Sequence, residues 1–313
     1  MAELSLAERV IAAGFSLGWR AGPVLDTGAA RTVFDGAADM IWRREGPGVA
    51  QLRANLRRVV GPDLSEAGLD ALSRRALRSY ARYFREVFWL PSARPGVIAG
   101  RTQVTNPSIV HDVLARGRGV VCALAHTGNW DAAAVAYLDR YGPPMSVVAE
   151  RLRPESLYQR FQAYRESLGM VVVPLTGGGR SSTEMLATTL RAGGSVCLPC
   201  ERDLSDNGVP VTFFGKTITV PPGPALLALR TGAALLPASP GFHGDDWTIR
   251  FYSEVIVDGP EAPNRLRDKV IQAMQKVVDQ LAIGIAEAPE DWHMMQRLWH
   301  EDRTTAPARL LSR

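Results

Sequence analysis

The chain has 313 residues, 46% of them apolar and 22% charged, a balance that builds a large core and excludes a disordered polypeptide. Its net charge is only +4, yet Lys216, Lys269 and Lys276 are the only lysines and arginine carries the rest of the positive charge. Planar guanidinium groups match phosphates and carboxylates, so anionic partners suit this chain, whereas no basic–aromatic pattern speaks for nucleic acid.

In chain order, the first feature is the apolar segment from Val10 to Trp19, preceded by Glu8 and Arg9 and closed by Arg20. About ten residues fall short of the about 20 that a bilayer core requires, and the flanking charges do not suit a secretory signal. Two placements are open to it: in a membrane interface with Phe15, Leu17 and Trp19 in lipid, or packed as a helix on the rest of the domain. Residues 1–92 read as mostly helical. Leu52, Leu56 and Val59 recur at helical spacing, and Asp70–Tyr80 runs on into Tyr83, Phe84 and Val87–Trp89. Pro91 and Pro95-Gly96 end this region.

Beyond residue 100, apolar runs alternate with amphipathic stretches. Strands are expected at 119–125, 146–149, 170–174, 195–200, 211–214, 234–238 and 248–257. Helices are expected at 130–140, 154–168, 182–192, 222–231 and 264–286. This alternation implies βαβ units and a mainly parallel α/β sheet flanked by helices, with the helical region at its N-terminal side. The expected organisation is a single domain over 1–313, with its α/β core at 100–300.

The chemistry concentrates at the ends of those strands, where open α/β sheets bind ligands. His126 opens His126-Thr-Gly-Asn-Trp-Asp131 directly after the run Gly119–Ala125. A carboxylate five residues on, in the first turn of the next helix, can fold back to accept a hydrogen bond from one ring nitrogen. The other nitrogen is then left as a base. Glu201-Arg202-Asp203 follows the strand ending at Cys200 and should emerge at the same edge if the sheet is parallel. Cys197-Leu-Pro-Cys200 has metal-site spacing without two further ligands to complete it, so these thiols and Cys122 are expected to be buried and reduced. Gly177-Gly-Gly179-Arg-Ser-Ser182 approximates a dinucleotide fingerprint, with Ser182 standing where the third glycine belongs, and makes a nicotinamide-dependent oxidoreductase the rival enzyme. His111, His243, His293 and His300 are isolated and read as structural.

The His126–Asp131 block stands in order with Arg165 before Gly169, Phe213-Phe214-Gly215, Leu229-Arg230-Thr231-Gly232-Ala233 and Pro289-Glu-Asp-Trp-His-Met-Met-Gln-Arg-Leu-Trp299. Together with Glu150-Arg151, these residues resemble the bacterial lysophospholipid acyltransferase superfamily. The closest branches are the lipid A biosynthesis (lauroyl/myristoyl) enzymes and the phosphatidylinositol mannoside acyltransferases. Glu201-Arg202, where the lipid A branch usually carries Asp-Gln, looks more like the mannoside branch. The resemblance implies transfer of a long-chain, palmitoyl-type group from acyl-coenzyme A to a mannose hydroxyl of a membrane glycolipid, with lipid A-type acylation as the alternative. His126 would be the general base and Asp131 would hold its ring. Glu201 would sit near the acceptor or give the ring a second carboxylate. Backbone amides around Thr127–Asn129 would stabilise the oxyanion, and Arg165, Arg230 and Asn207 would bind coenzyme A. The resemblance calls for no metal and no cofactor, and it places the protein peripherally on an anionic membrane surface, at the cytoplasmic face of the plasma membrane.

Overall fold

Thr27 and Ser65 each accept the backbone N–H three residues on, from Ala30 and Gly68, and so start two of the N-terminal helices. The computed structural model describes residues 6–94, 96–142, 144–149, 154–174, 181–203 and 207–304. Its N-terminal region consists of α1 (Leu6–Ala21), α2 (Gly28–Arg43), α3 (Pro47–Val60) and α4 (Glu66–Trp89). Leu69, Leu72, Ala76, Tyr83 and Val87 fall three, four or seven residues apart along α4, on one helical face, and are all buried. On the same region, Asp39 of α2 receives paired bonds from Arg74 and Arg78 of α4, which hold its carboxyl well below the usual carboxylate range.

After α5 (Val97–Gly100), strands and helices alternate: β1 (Thr102–Thr105), α6 (Pro107–Ala115), β2 (Val120–Leu124), α7 (Trp130–Tyr141), β3 (Met145–Ala149), α8 (Glu155–Ser167) and β4 (Val171–Pro174). Then follow α9 (Ser182–Arg191), β5 (Ser195–Pro199), β6 (Val209–Phe213), β7 (Lys216–Val220) and α10 (Gly223–Thr231). The chain closes with β8 (Ala234–His243), β9 (Asp246–Phe251), α11 (Leu266–Glu287) and α12 (His300–Thr304). Seven strands form one sheet in the order β1-β9-β8-β2-β5-β3-β4. The five from β8 to β4 are parallel, while β9 runs antiparallel to β8 and carries β1 parallel to itself.

All five residues of β2 are buried, as a central parallel strand covered on both faces requires. Val121 and Ala123 point into a core shared with α9, α10 and α11, and Val120, Cys122 and Leu124 into a core shared with α4, α6 and α7. Cys197 and Cys200 belong to opposite cores, so the CxxC spacing joins nothing; all three thiols are free and buried.

Several strands depart from expectation. Residues 209–213 pair antiparallel with 216–220 in a hairpin outside the main sheet, and Phe214 and Gly215 form its two-residue turn with φ of +47° and +74°. Positive φ at both positions is the requirement of a type I′ turn, which explains the glycine. The strand expected at 248–257 ends at Phe251, where its ladder with β8 stops. β1 was not expected at all, because Thr-Gln-Val-Thr is a short, alternating edge strand without an apolar run.

The opening helix is a packed one. Phe15 lies 5.5 Å from Phe88 and 5.3 Å from Phe161, and Trp19 has similar ring contacts, while Leu17 is 68% exposed. Among the described residues no helix is long and apolar enough to cross a membrane. Glu150-Arg151 and the Gly177–Gly179 run lie outside the described residues.

Candidate active site

β2 and β5 are neighbours in parallel register, Leu124 beside Pro199, so the residues after them emerge together at the carboxyl edge of the sheet. His126 and Glu201 meet there. The Glu201 carboxylate, wholly buried, lies 2.8 Å from His126 Nδ1 through its Oε1, and the same oxygen accepts the His126 backbone N–H at 2.7 Å. The indole N–H of Trp292 points to it at 3.4 Å. Burial works to raise the Glu201 carboxyl, but the His126 charge and the bonds from its ring and backbone outweigh that, leaving it below its ordinary value. The carboxylate is thus the form that accepts Nδ1–H, and the tautomer leaves Nε2 with a lone pair. The His126 side chain is 31% exposed, so this nitrogen belongs to a ring that a substrate can reach.

Asp131 takes another place. Its Oδ1 accepts Arg165 Nε at 2.9 Å and its Oδ2 accepts the Tyr83 hydroxyl at 3.1 Å, with all three side chains largely buried. The expected ring-holding bond from Asp131 is therefore made by Glu201. Both carboxylates face the site from α-helical or strand-end positions, but a helix start carries Asp131 away from the ring while the register of β5 carries Glu201 to it. Burial works against the Arg165 charge, and the Asp131 carboxylate more than restores it, so its pKa is raised and the guanidinium stays charged. Trp130 sits between the two clusters, 5.6 Å from the His126 ring and 4.2 Å from that of Tyr83.

The loop between β2 and α7 is closed on itself and on the C-terminal segment. Thr127 N–H donates to the Ala125 carbonyl at 2.8 Å and Gly128 N–H to that of Asp291 at 2.9 Å. These two amides are spoken for, which removes them as oxyanion donors. Gly128 has φ of +54°, and a Cβ there would lie 2.6 Å from the Cα of Gly241, so no other residue fits. Asn129 caps α7 by accepting Ala132 N–H at 2.9 Å and donates to the buried Glu86 at 2.8 Å.

The other assigned residues scatter. Arg165 gives its Nε–H to Asp131 at 2.9 Å and is largely buried, so its place in the fold is at that carboxylate. Arg230 is exposed at the last turn of α10, just before β8 starts beside Val120, and so stands at the amino edge of the sheet, opposite His126. Asn207 is exposed on the segment between β5 and β6. Among the described residues no three His, Cys, Asp or Glu side chains converge as metal ligands. Sequence reasoning missed Tyr83, which bonds Asp131, and Ser79 and Asp291, which hold the segment that pairs with the His126 loop. Ser79 and Tyr83 stood in a run read only as a helix, and Asp291 in the Pro289–Trp299 segment, read as a family marker without a task.

The family model described as bacterial lipid A biosynthesis acyltransferase matches residues 7–301. A phosphatidylinositol mannoside acyltransferase of Mycolicibacterium smegmatis is 43% identical over 299 residues, 96% of this chain and 94% of that protein. One of Mycobacterium tuberculosis is 43% identical over 290 residues, 92% of this chain and 88% of its own. The chain belongs to the bacterial lipid A biosynthesis acyltransferase family.

Proposed function

From membership of that family, we propose that the chain acylates a mannose hydroxyl of a phosphatidylinositol mannoside with a long-chain group, palmitoyl for preference, taken from acyl-coenzyme A. The observation that carries this is the His126–Glu201 pair at the carboxyl edge, a ring with one nitrogen fixed and the other available. The likeness to relatives named for this activity gives the acceptor class. His126 Nε2 takes the proton of the hydroxyl, and the oxygen attacks the thioester carbonyl. The tetrahedral intermediate collapses with cleavage of the C–S bond, and the leaving thiolate takes the proton back from the imidazolium. Glu201 keeps the tautomer and balances the imidazolium charge. Asn207 remains the residue assigned to the donor.

The acceptor is a lipid, so the site must reach a bilayer. α2 carries the surface for this: Val33, Ala37, Met40 and Ile41, with Arg44 just past its end, repeat at helical spacing and are all exposed, Val33 to 68% and Ile41 to 53%. Exposed Arg20, Arg43 and Arg44 suit anionic head groups at a cytoplasmic membrane face. Incubation with labelled palmitoyl-coenzyme A and a panel of glycolipids tests the assignment. A labelled phosphatidylinositol mannoside is expected; label appearing only on lipid A precursors would replace the acceptor. Sedimentation with anionic vesicles tests the docking face, where V33D with I41D should weaken binding and unchanged binding would move the face elsewhere.

A further inference from the structure

The loop that carries His126 is held largely from outside itself. The His126 carbonyl accepts the N–H of His293 at 2.9 Å, the Gly128 N–H donates to the Asp291 carbonyl at 2.9 Å, and Thr127 bridges Trp292. Whatever fixes residues 291–293 therefore fixes the main chain under the imidazole. The Asp291 side chain is 7% exposed and ties this segment to two other elements. Its Oδ1 accepts the Ser79 hydroxyl of α4 at 2.8 Å, and its Oδ2 accepts the Phe242 N–H of β8 at 3.0 Å.

Ser79 closes the tie, since its oxygen lies 3.0 Å from His293 Nε2. With the hydroxyl proton given to Asp291, His293 must carry its own proton on Nε2 and donate to Ser79. Burial, with the nearby His126 charge adding to it, pushes the His293 imidazole down to about 3, so the ring remains neutral and this arrangement persists. Burial likewise raises Asp291 to about 6 against the bonds it accepts, so at neutral pH the ionised carboxylate is the acceptor. Neither Asp291 nor Ser79 is needed in the chemical steps written above, yet both oxygens of a buried carboxylate are spent on this junction.

We infer that Asp291 is a positioning residue for acyl transfer: its side chain, locked to Ser79 and Phe242, and its carbonyl, bonded to Gly128, hold the His126 ring against Glu201. This rests on the reading of His126 as base. Displacing a catalytic group by about an ångström can cost about a hundredfold, so Asp291→Ala is expected to lower kcat by about tenfold to a hundredfold. KM for palmitoyl-coenzyme A should stay within about twofold, as for an interaction that serves the transition state alone. Asp291→Asn keeps an oxygen for Phe242 and offers an amide to Ser79, so it should recover most of the rate.

The cycle with Glu201→Gln decides between positioning and general support. If both residues act on one imidazole, the double variant is no slower than the slower single variant; losses that multiply, or a raised KM with kcat intact, would overturn the inference. Should circular dichroism show Asp291→Ala unfolded, Ser79→Ala carries the same cycle. His126→Ala in the same assay keeps the premise separate. Full activity there defeats the base reading, whereas an inactive His126→Ala beside an Asp291→Ala of parental kcat defeats only the positioning role.

Discussion

Two buried carboxylates lie near one another at the carboxyl edge of the sheet, and their neighbours give them opposite characters. Asp131 has both oxygens matched, one by the Arg165 guanidinium and one by the Tyr83 hydroxyl. Burial raises the Tyr83 hydroxyl well above its usual range and the Asp131 charge adds to this, so neither donor gives up its proton. Glu201 is matched instead by a partly exposed imidazole, and its Oε2 has no hydrogen-bond partner among the described residues. A carboxylate paired with a group that never titrates becomes a fixed strut. One paired with an imidazole that a substrate can reach is placed to serve proton transfer.

The largest effect that tests this contrast is on the ring itself. His126→Ala should lower kcat with labelled palmitoyl-coenzyme A by about 10²–10⁴-fold, the usual contribution of a general base, with little loss of fold. A near-parental rate would end the distinction, since no base would then sit beside Glu201.

Next in size is Arg165→Met, which leaves the Asp131 carboxylate buried without its countercharge. Breaking such a pair costs about 3–5 kcal/mol, so the urea midpoint should fall steeply while the folded fraction keeps most of its kcat. A variant of parental stability with a raised KM for the donor would return Arg165 to coenzyme A binding and make Asp131 part of the site.

Glu201→Gln should follow, with about a 10²-fold loss of rate, because an amide fits the space but neither enforces the Nδ1–H tautomer nor balances imidazolium. The pH dependence has a definite sign. A carboxyl whose folded pKa is depressed contributes stability above its unfolded value, near 4.5, and loses it as pH falls through the lower folded value. The stability difference between parent and Glu201→Gln should accordingly be constant at neutral pH and shrink only below that range. A difference that grows on acidification would mean that burial, and not the His126 pairing, governs this group.

The contrast also shows what the chain reveals before folding. β2, β5 and the helices between them were legible because buried parallel strands are continuous apolar runs, and Val120–Leu124 and Ser195–Pro199 are such runs. β1 and β7 were not, since Thr-Gln-Val-Thr and Lys-Thr-Ile-Thr-Val alternate and pair at the edge or in a hairpin. Local spacing located His126 and Asp131 but mispaired them. The partner of the ring lies 75 residues on, and only the register of two strands brings it there. Arg230 was misplaced although the expected elements held the answer, since a helix that ends just before a parallel strand ends at the amino edge of the sheet.

The smallest effect comes from Tyr83→Phe, which removes one hydroxyl from the fixed cluster and leaves the Arg165–Asp131 pair intact. A lost hydrogen bond to a charged group costs about 1.5–3 kcal/mol, and the 3.1 Å distance together with the remaining guanidinium favours the lower end. Stability should therefore drop by about 1.5 kcal/mol with kcat unchanged, read from urea unfolding and the acyl-transfer assay on one preparation. Trp130 makes this small change the most searching one, because its ring contacts both Tyr83 and His126. If the aromatic contact carries strain from one cluster to the other, the rate falls along with the stability. The two carboxylates would then belong to a single catalytic unit, with Asp131 acting on the base through packing and not through a hydrogen bond.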